Sequence, residues 1–136
     1  MILKNAYVLI NAVDLSAYVS EVDLTFDAEM QDDTVMGDAA RSNAPGLVNA
    51  TASITFKNPW AASGPDATLF PLIGAAPFAV AIRPVNTTIA TTNPEYQIMM
   101  ALQSWNPIGG AVGDEGASVA ELVNGTGSIF VRDVTP

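Results

Sequence analysis

Half of the chain's acid lies in one short run. Glu21, Asp23, Asp27, Glu29, Asp32, Asp33 and Asp38 supply seven of the fourteen carboxylates, and no Lys or Arg intervenes before Arg41. Four kinds of chemistry would use such a run. The plainest is a solvated strand face that continues into a polar loop. Hard cations such as Ca²⁺ or Mg²⁺ favour carboxylate oxygens, but the alternating EF-hand spacing with its closing Gly and distant Glu is absent. Paired carboxylates hydrolyse glycosides, yet that reaction needs a cleft that a chain of 136 residues with two long loops can hardly wall. The fourth use is electrostatic: an acidic surface that repels a second polyanion passing by.

Other chemistries are excluded by residue type. Without His there is no imidazole base or ligand, and without Cys no thiol nucleophile, disulfide or thiolate metal site. Asp33-Thr34-Val35 lacks the glycine of the aspartic protease pattern. Gly109, Gly110 and Gly113 match neither a Walker loop nor a dinucleotide fingerprint and suit a bent loop. No catalytic residue, metal site or cofactor is expected, and the chain does not read as an enzyme. The basic residues Lys4, Arg41, Lys57, Arg83 and Arg132 are scattered and offer no grip on nucleic acid phosphates. The opening MILKNAYVLI lacks the long apolar run of a signal peptide, and Ala67–Ile82, broken by Pro71 and Pro77, is too short to span a bilayer. Three formal glycosylation acceptors, at Asn49, Asn86 and Asn124, carry little meaning without a secretion signal. Trp60 and Trp105 read as core or interface residues.

The elements that must position the acids are strands. Tyr18–Ala28 alternates, with Val22, Leu24 and Phe26 on one face and Glu21, Asp23, Thr25 and Asp27 on the other. Leu47–Lys57 repeats the pattern, with Ala50, Ala52, Ile54 and Phe56 facing in and Asn49, Thr51, Ser53, Thr55 and Lys57 facing out. Tyr7–Ile10, Phe78–Arg83, Tyr96–Trp105, Ser118–Val123 and Ser128–Val134 complete about seven strands, and Asn124-Gly125 reads as a hairpin turn. Asp66–Gly74 reads as one short helix, capped by Asp66 and closed by Gly74. The expected fold is mainly β, a single domain over residues 1–136: an antiparallel sandwich or barrel with one flanking helix. Two long loops, 29–45 and 106–116, carry Met30, Val35, Met36, Ile108 and Val112. Charged residues are only 14% and the net charge is −9. About 25% charged is usual, so partners are expected to cover much of the surface.

These residues also resemble a family. LINAVDLSAYVSEVDLTFDAEMQDDTVMGDAARSNAPGL resembles the N-terminal half of tail tube (major tail) proteins of long, non-contractile, siphovirus-type bacteriophage tails. ATLFPLIG, AIRP, TNPEY and NPIGGAVGD follow in the family's order, so the resemblance covers roughly residues 5 to 132. Its most specific parts are the DDTVMGD-to-PGL loop and the IRP…TNPEY stretch; the family more often has Gly where Ala12 stands.

The resemblance implies a tail-tube-like β-sandwich, six copies of which form a ring whose inner sheets join around a lumen. Rings stack into a tube in the virion after assembly in the host cytoplasm. The implied partners are further copies, the tape-measure protein, the tail terminator and tail-tip proteins. Double-stranded DNA passes through without stable binding, and no membrane is involved. On this basis Glu21, Asp23, Thr25, Asp27, Asn49, Thr51, Ser53 and Thr55 are expected to line the lumen. Met30, Asp32, Asp33, Met36, Arg41, Ile108 and Val112 are expected at contacts between subunits. Two alternatives remain: a capsid decoration or tail-terminator subunit, and a small Ca²⁺- or carbohydrate-binding β module whose melting would respond to chelator.

Overall fold

The computed structural model describes residues 5–57, 60, 62, 64–109, 112, 118–125 and 130–135. Among the described residues eight strands form one antiparallel sheet: β1 Tyr7–Ile10, β2 Val13–Asp14, β3 Val19–Asp32, β4 Asn43–Phe56, β5 Phe78–Arg83, β6 Glu95–Asn106, β7 Ser118–Asn124 and β8 Val131–Asp133. The spatial order is β2-β1-β5-β6-β7-β4-β3, with β8 also on β6. β6 joins two halves. Its N-terminal half pairs β5 on one side, while on the other side β8 takes Glu95–Gln97 and β7 takes Met100–Asn106. The path folds back about β6, bringing Phe26 of β3 within 5.4 Å of the Tyr96 ring. Among the described residues its two ends, β2 and β3, do not pair, so the layers form an open, sandwich-like fold.

Alternation in the sequence becomes burial in the core. Val8, Ile10, Val80, Ile82, Ile98 and Met100 of one half meet Ala50, Ala52, Ile54, Phe56, Ala120 and Leu122 of the other. Full burial of each large aliphatic or aromatic side chain among them contributes about 1.5–3 kcal/mol. β1 and β2 are joined by Asn11 and Ala12, both at positive φ (50° and 65°), as a two-residue hairpin of the primed kind requires.

The helix is shorter than expected. α1 spans Pro65–Leu69 and passes into a 3-10 turn at Phe70–Leu72, with Gly74 at φ 75° closing the segment. Asp66 does not cap it: the N-cap is Gly64, and Asp66 Oδ1 instead accepts a hydrogen bond from Trp105 Nε1 at 3.0 Å. Leu69 and Leu72 enter the core, and Trp105 stacks edge-on against Phe56.

Two further expectations are corrected. Asn124-Gly125 is no hairpin, because β7 and β8 run in the same direction along β6. Gly125 N–H donates to Met99 O at 2.9 Å, and a Cβ at Gly125 would lie 2.8 Å from Pro77 Cβ and 2.9 Å from the Met100 carbonyl carbon. The pair thus marks a close backbone approach that only glycine allows. The segment 29–45 is mostly hairpin, since β3 and β4 stay paired out to Asp32 and Asn43. A shift in register between Ala28 and Met30 marks where the hairpin leaves the core. Of the segment 106–116, Asn106 ends β6, and positions 110, 111 and 113–116 lie outside the described residues.

Candidate functional site

Cross-strand register decides which polar residues meet. β3 and β4 place Glu21 opposite Thr55, Asp23 opposite Ser53, Thr25 opposite Thr51 and Asp27 opposite Asn49. These eight residues form one outward face, because the intervening Val22, Leu24, Phe26, Ala50, Ala52, Ile54 and Phe56 turn inward. The rows continue onto β7, where Ser53 faces Glu121, Thr55 faces Val119 and Thr51 faces Val123. β6 adds Ser104 opposite Glu121, next to a bulge at Gln103. No strand position in these rows is Lys or Arg. Asp23, Ser53, Gln103 and Glu121 line a shallow depression of about 190 Å³.

The face is therefore a four-strand layer, β3-β4-β7-β6, carrying the carboxylates Glu21, Asp23, Asp27 and Glu121. Glu121 was absent from the sequence-level candidates. Its outward direction follows from the alternation of Ser118–Val123, but its position beside Ser53 depends on register that no local signal carries. Among the described residues, no group of three or more acids is placed to hold a metal ion.

Among the described residues both margins of this layer are unpaired. There β3 pairs β4 alone, and β5 reaches no further along β6 than Met100, so Ala101–Asn106 of β6 has one free edge. No described backbone group outside the strands bonds to that edge. Unpaired edges of this kind invite a further strand.

The far end of the β3–β4 hairpin forms a projecting tip, and its residues are exposed except for the partly buried Ser42 and Ala44. Side-chain hydrogen bonds hold it. Thr34 N–H donates to Asp32 Oδ1 at 2.9 Å, Ser42 N–H to Thr34 Oγ1 at 2.6 Å, and Val35 N–H to Asp38 Oδ2 at 3.0 Å. Thr34, by its hydroxyl first and its backbone N–H second, keeps the Asp32 carboxyl below the usual carboxylate range. Arg41 Nη1 lies 3.6 Å from Asp32 Oδ2, so the described partner of Arg41 is in its own hairpin. Asp33 keeps its side chain in solvent, and Met30, Val35 and Met36 present apolar groups, Met36 fully exposed. Ile108 and Val112 are likewise exposed, far along the chain from the tip.

The IRP…TNPEY stretch builds a different feature. Arg83 Nε donates to Glu95 Oε2 at 2.5 Å, Arg83 Nη1 to Thr87 O at 3.0 Å, and the guanidinium lies 4.2 Å from the Tyr7 ring centre. Gln97 Nε2 donates to Glu95 Oε1 at 2.7 Å. Buried Asn93 ties the following loop by donating to Val85 O at 3.0 Å and Thr88 O at 3.2 Å. Burial pushes the Tyr7 phenol up, against a smaller lowering effect of Arg83. This cluster holds a loop on the sheet, and its members also border open grooves: Arg83 lines one of about 340 Å³ and Glu95 and Gln97 line one of about 380 Å³.

No protein-family model matches the sequence, and no curated protein matches it. Solved structures do match in fold. A chain of the virion of a native gene transfer agent particle superposes with a TM-score of 0.75 at 13% identity, covering 100% of this chain and 99% of that one. A chain of an extracellular contractile injection system, in its sheath/tube terminator in the extended state, gives 0.64 at 12% identity over 98% and 96%. A chain from the tail of an empty gene transfer agent particle, refined with C6 symmetry, gives 0.61 at 13% identity over 88% and 83%. The chain thus shares its fold with these chains: a mostly antiparallel β architecture with, among the described residues, one short α-helix.

Proposed function

We propose that the chain is a tail tube subunit that assembles through its open sheet edges into stacked rings with an acidic bore. The observation that carries this is the four-strand layer with, among the described residues, an unpaired edge at each margin and a carboxylate face whose strand positions hold no Lys or Arg, Lys57 following at the end of β4. Joining the β3 edge of one copy to the β6 edge of the next continues the layer head to tail, and such a contact closes into a ring when the rotation allows. Six copies give 24 strands. At about 4.8 Å per strand and a tilt of about 40° the backbone circle is about 48 Å across. Side chains then leave a bore of roughly 30–40 Å, whereas three copies, with a circle of about 24 Å, would leave only about 6–16 Å.

Four carboxylates per copy place 24 around such a ring. The strand positions of this face offer a duplex no cation to grip, so it slides, because tight binding to DNA requires neutralised phosphates. Glu21, Asp23, Thr25 and Asp27, with Asn49, Thr51, Ser53 and Thr55, line the bore in this reading. The tip residues Met30, Asp32, Asp33, Met36 and Arg41, together with Ile108 and Val112, meet other subunits. The tape-measure, terminator and tail-tip proteins are the further partners, and the virion tail is the location. The likeness to a chain of a sheath/tube terminator assembly supports a second reading, a terminator that stops at one ring.

Negative-stain electron microscopy of the purified protein across a concentration series tests the proposal. Stacked rings with a central hole support a tube subunit, and single rings that never stack support the terminator. A monodisperse monomer at every concentration refutes both.

A further inference from the structure

A groove of about 340 Å³ runs along the free edge of β3. Its walls show where it lies: Val22, Asp23 and Leu24, of both side-chain parities, contribute from β3, while β4 contributes nothing. Ala6, Phe26, Ile82, Pro84 and Tyr96 complete the apolar lining, and Arg83 borders it as a charged wall. Val22, Leu24 and Phe26 face the core yet remain only partly buried, unlike their counterparts on β4. The groove is an unfinished piece of core that opens at the margin where the next copy is proposed to join.

The other margin carries a matching projection. α1 and its 3-10 turn precede β5, which begins opposite Met100, so this segment lies beside the free Ala101–Asn106 edge of β6. Leu69 and Leu72 in the core and the Trp105–Asp66 hydrogen bond fix it on the core side of the sheet. Phe70 and Ile73 point away from that anchorage, 66% and 52% exposed. Continuing the layer from β3 of one copy to β6 of the next brings this segment to the core side of the joint, where the groove opens.

We infer that Phe70 of one copy fills the β3 groove of its neighbour, flanked by Ile73. The inference rests on the edge-to-edge reading above and names what seals it. Pairing over six edge residues buries little side chain, and a stable interface needs about 800 Å² per partner. An aromatic anchor buries about 150–250 Å² by itself and is typical of interface hot spots.

The chain lacks Cys, so paired cysteines report contacts cleanly. Phe70→Cys with Val22→Cys tests the anchor, and Thr25→Cys with Gln103→Cys tests the edge joint. Each double variant is treated with a short bismaleimide at a concentration where rings form. A ladder of covalent oligomers from both pairs, with monomer only from each single variant, is the expected result. A ladder from Thr25/Gln103 without one from Phe70/Val22 overturns the anchor and leaves the ring standing. Linking of Met36→Cys to Val22→Cys instead gives the groove to a hairpin tip and also overturns it. Absence of both ladders overturns ring and anchor together. Phe70→Ala should raise the concentration needed for assembly roughly 10- to 100-fold while subunit unfolding stays unchanged; an unchanged assembly threshold counts against the anchor.

Discussion

Removing Arg83 from its pair with Glu95 should destabilise the subunit by about 3 kcal/mol. The side chains are 19% and 10% exposed, so water screens the pair little. Arg83→Met deletes the two N–H groups aimed at Glu95 Oε2 and the one on Thr87 O, and leaves a nearly buried carboxylate with Gln97 as its described donor. Stranding one partner of a buried pair costs about 3–5 kcal/mol, and the Gln97 bond argues for the lower end. For a chain of this size that is a fall in Tm of roughly 10 °C. Replacing both partners with apolar groups removes the uncompensated charge, so Arg83→Met with Glu95→Leu should come back to within about 1 kcal/mol of the parent. Urea unfolding of the four members of this cycle gives the coupling energy, with an unchanged m-value as the check that the unfolded state is the same. If each single change costs under about 1 kcal/mol and the two simply add, the pair behaves as a solvated surface contact and the reasoning from burial fails.

Three smaller predictions concern the backbone and the tip. Ala12→Gly relieves an alanine held at φ 65° and creates an Asn-Gly turn, so stability should rise by about 0.5 kcal/mol after the extra unfolded-state entropy of glycine is subtracted; a fall in the urea midpoint contradicts this. Gly125→Ala forces a Cβ against Pro77 and the Met100 backbone and should cost about 2 kcal/mol or more, read as a lower urea midpoint. Asp32, with its pKa lowered in the folded hairpin, stabilises the tip above its unfolded pKa and loses that contribution as pH falls through the lowered folded value. Thr34→Val should move the Asp32 titration midpoint upward in a carboxyl NMR titration, and an unmoved midpoint removes the Thr34 hydroxyl as a cause and leaves its backbone N–H.

Much of the fold is legible in local pattern. The period of two in Val22-Asp23-Leu24-Thr25-Phe26 and in Ala50–Phe56 gives both faces of the central hairpin before any coordinates, since successive side chains of a strand must alternate. Absence of His and Cys settles which chemistries the chain lacks in the same direct way. Local signals misled where a distant group competes for the same atoms. Asp66 looks like a helix cap, but Trp105, 39 positions away, supplies its hydrogen-bond donor. Asn124-Gly125 looks like a hairpin turn, but Pro77 and Met100 press on Gly125 while β7 and β8 follow β6 in line.

The acidic, sparsely charged character of the chain belongs to the sequence alone, and so does the division of its polar residues between two strand faces. Tertiary structure alone decides that Glu121 joins those acids, that Arg83 and Glu95 meet, and that β3 and the far half of β6 each keep one edge unpaired among the described residues. The physical reason is range. Alternation and turn chemistry act over a few residues, whereas register and edges are settled by which strands finally lie side by side.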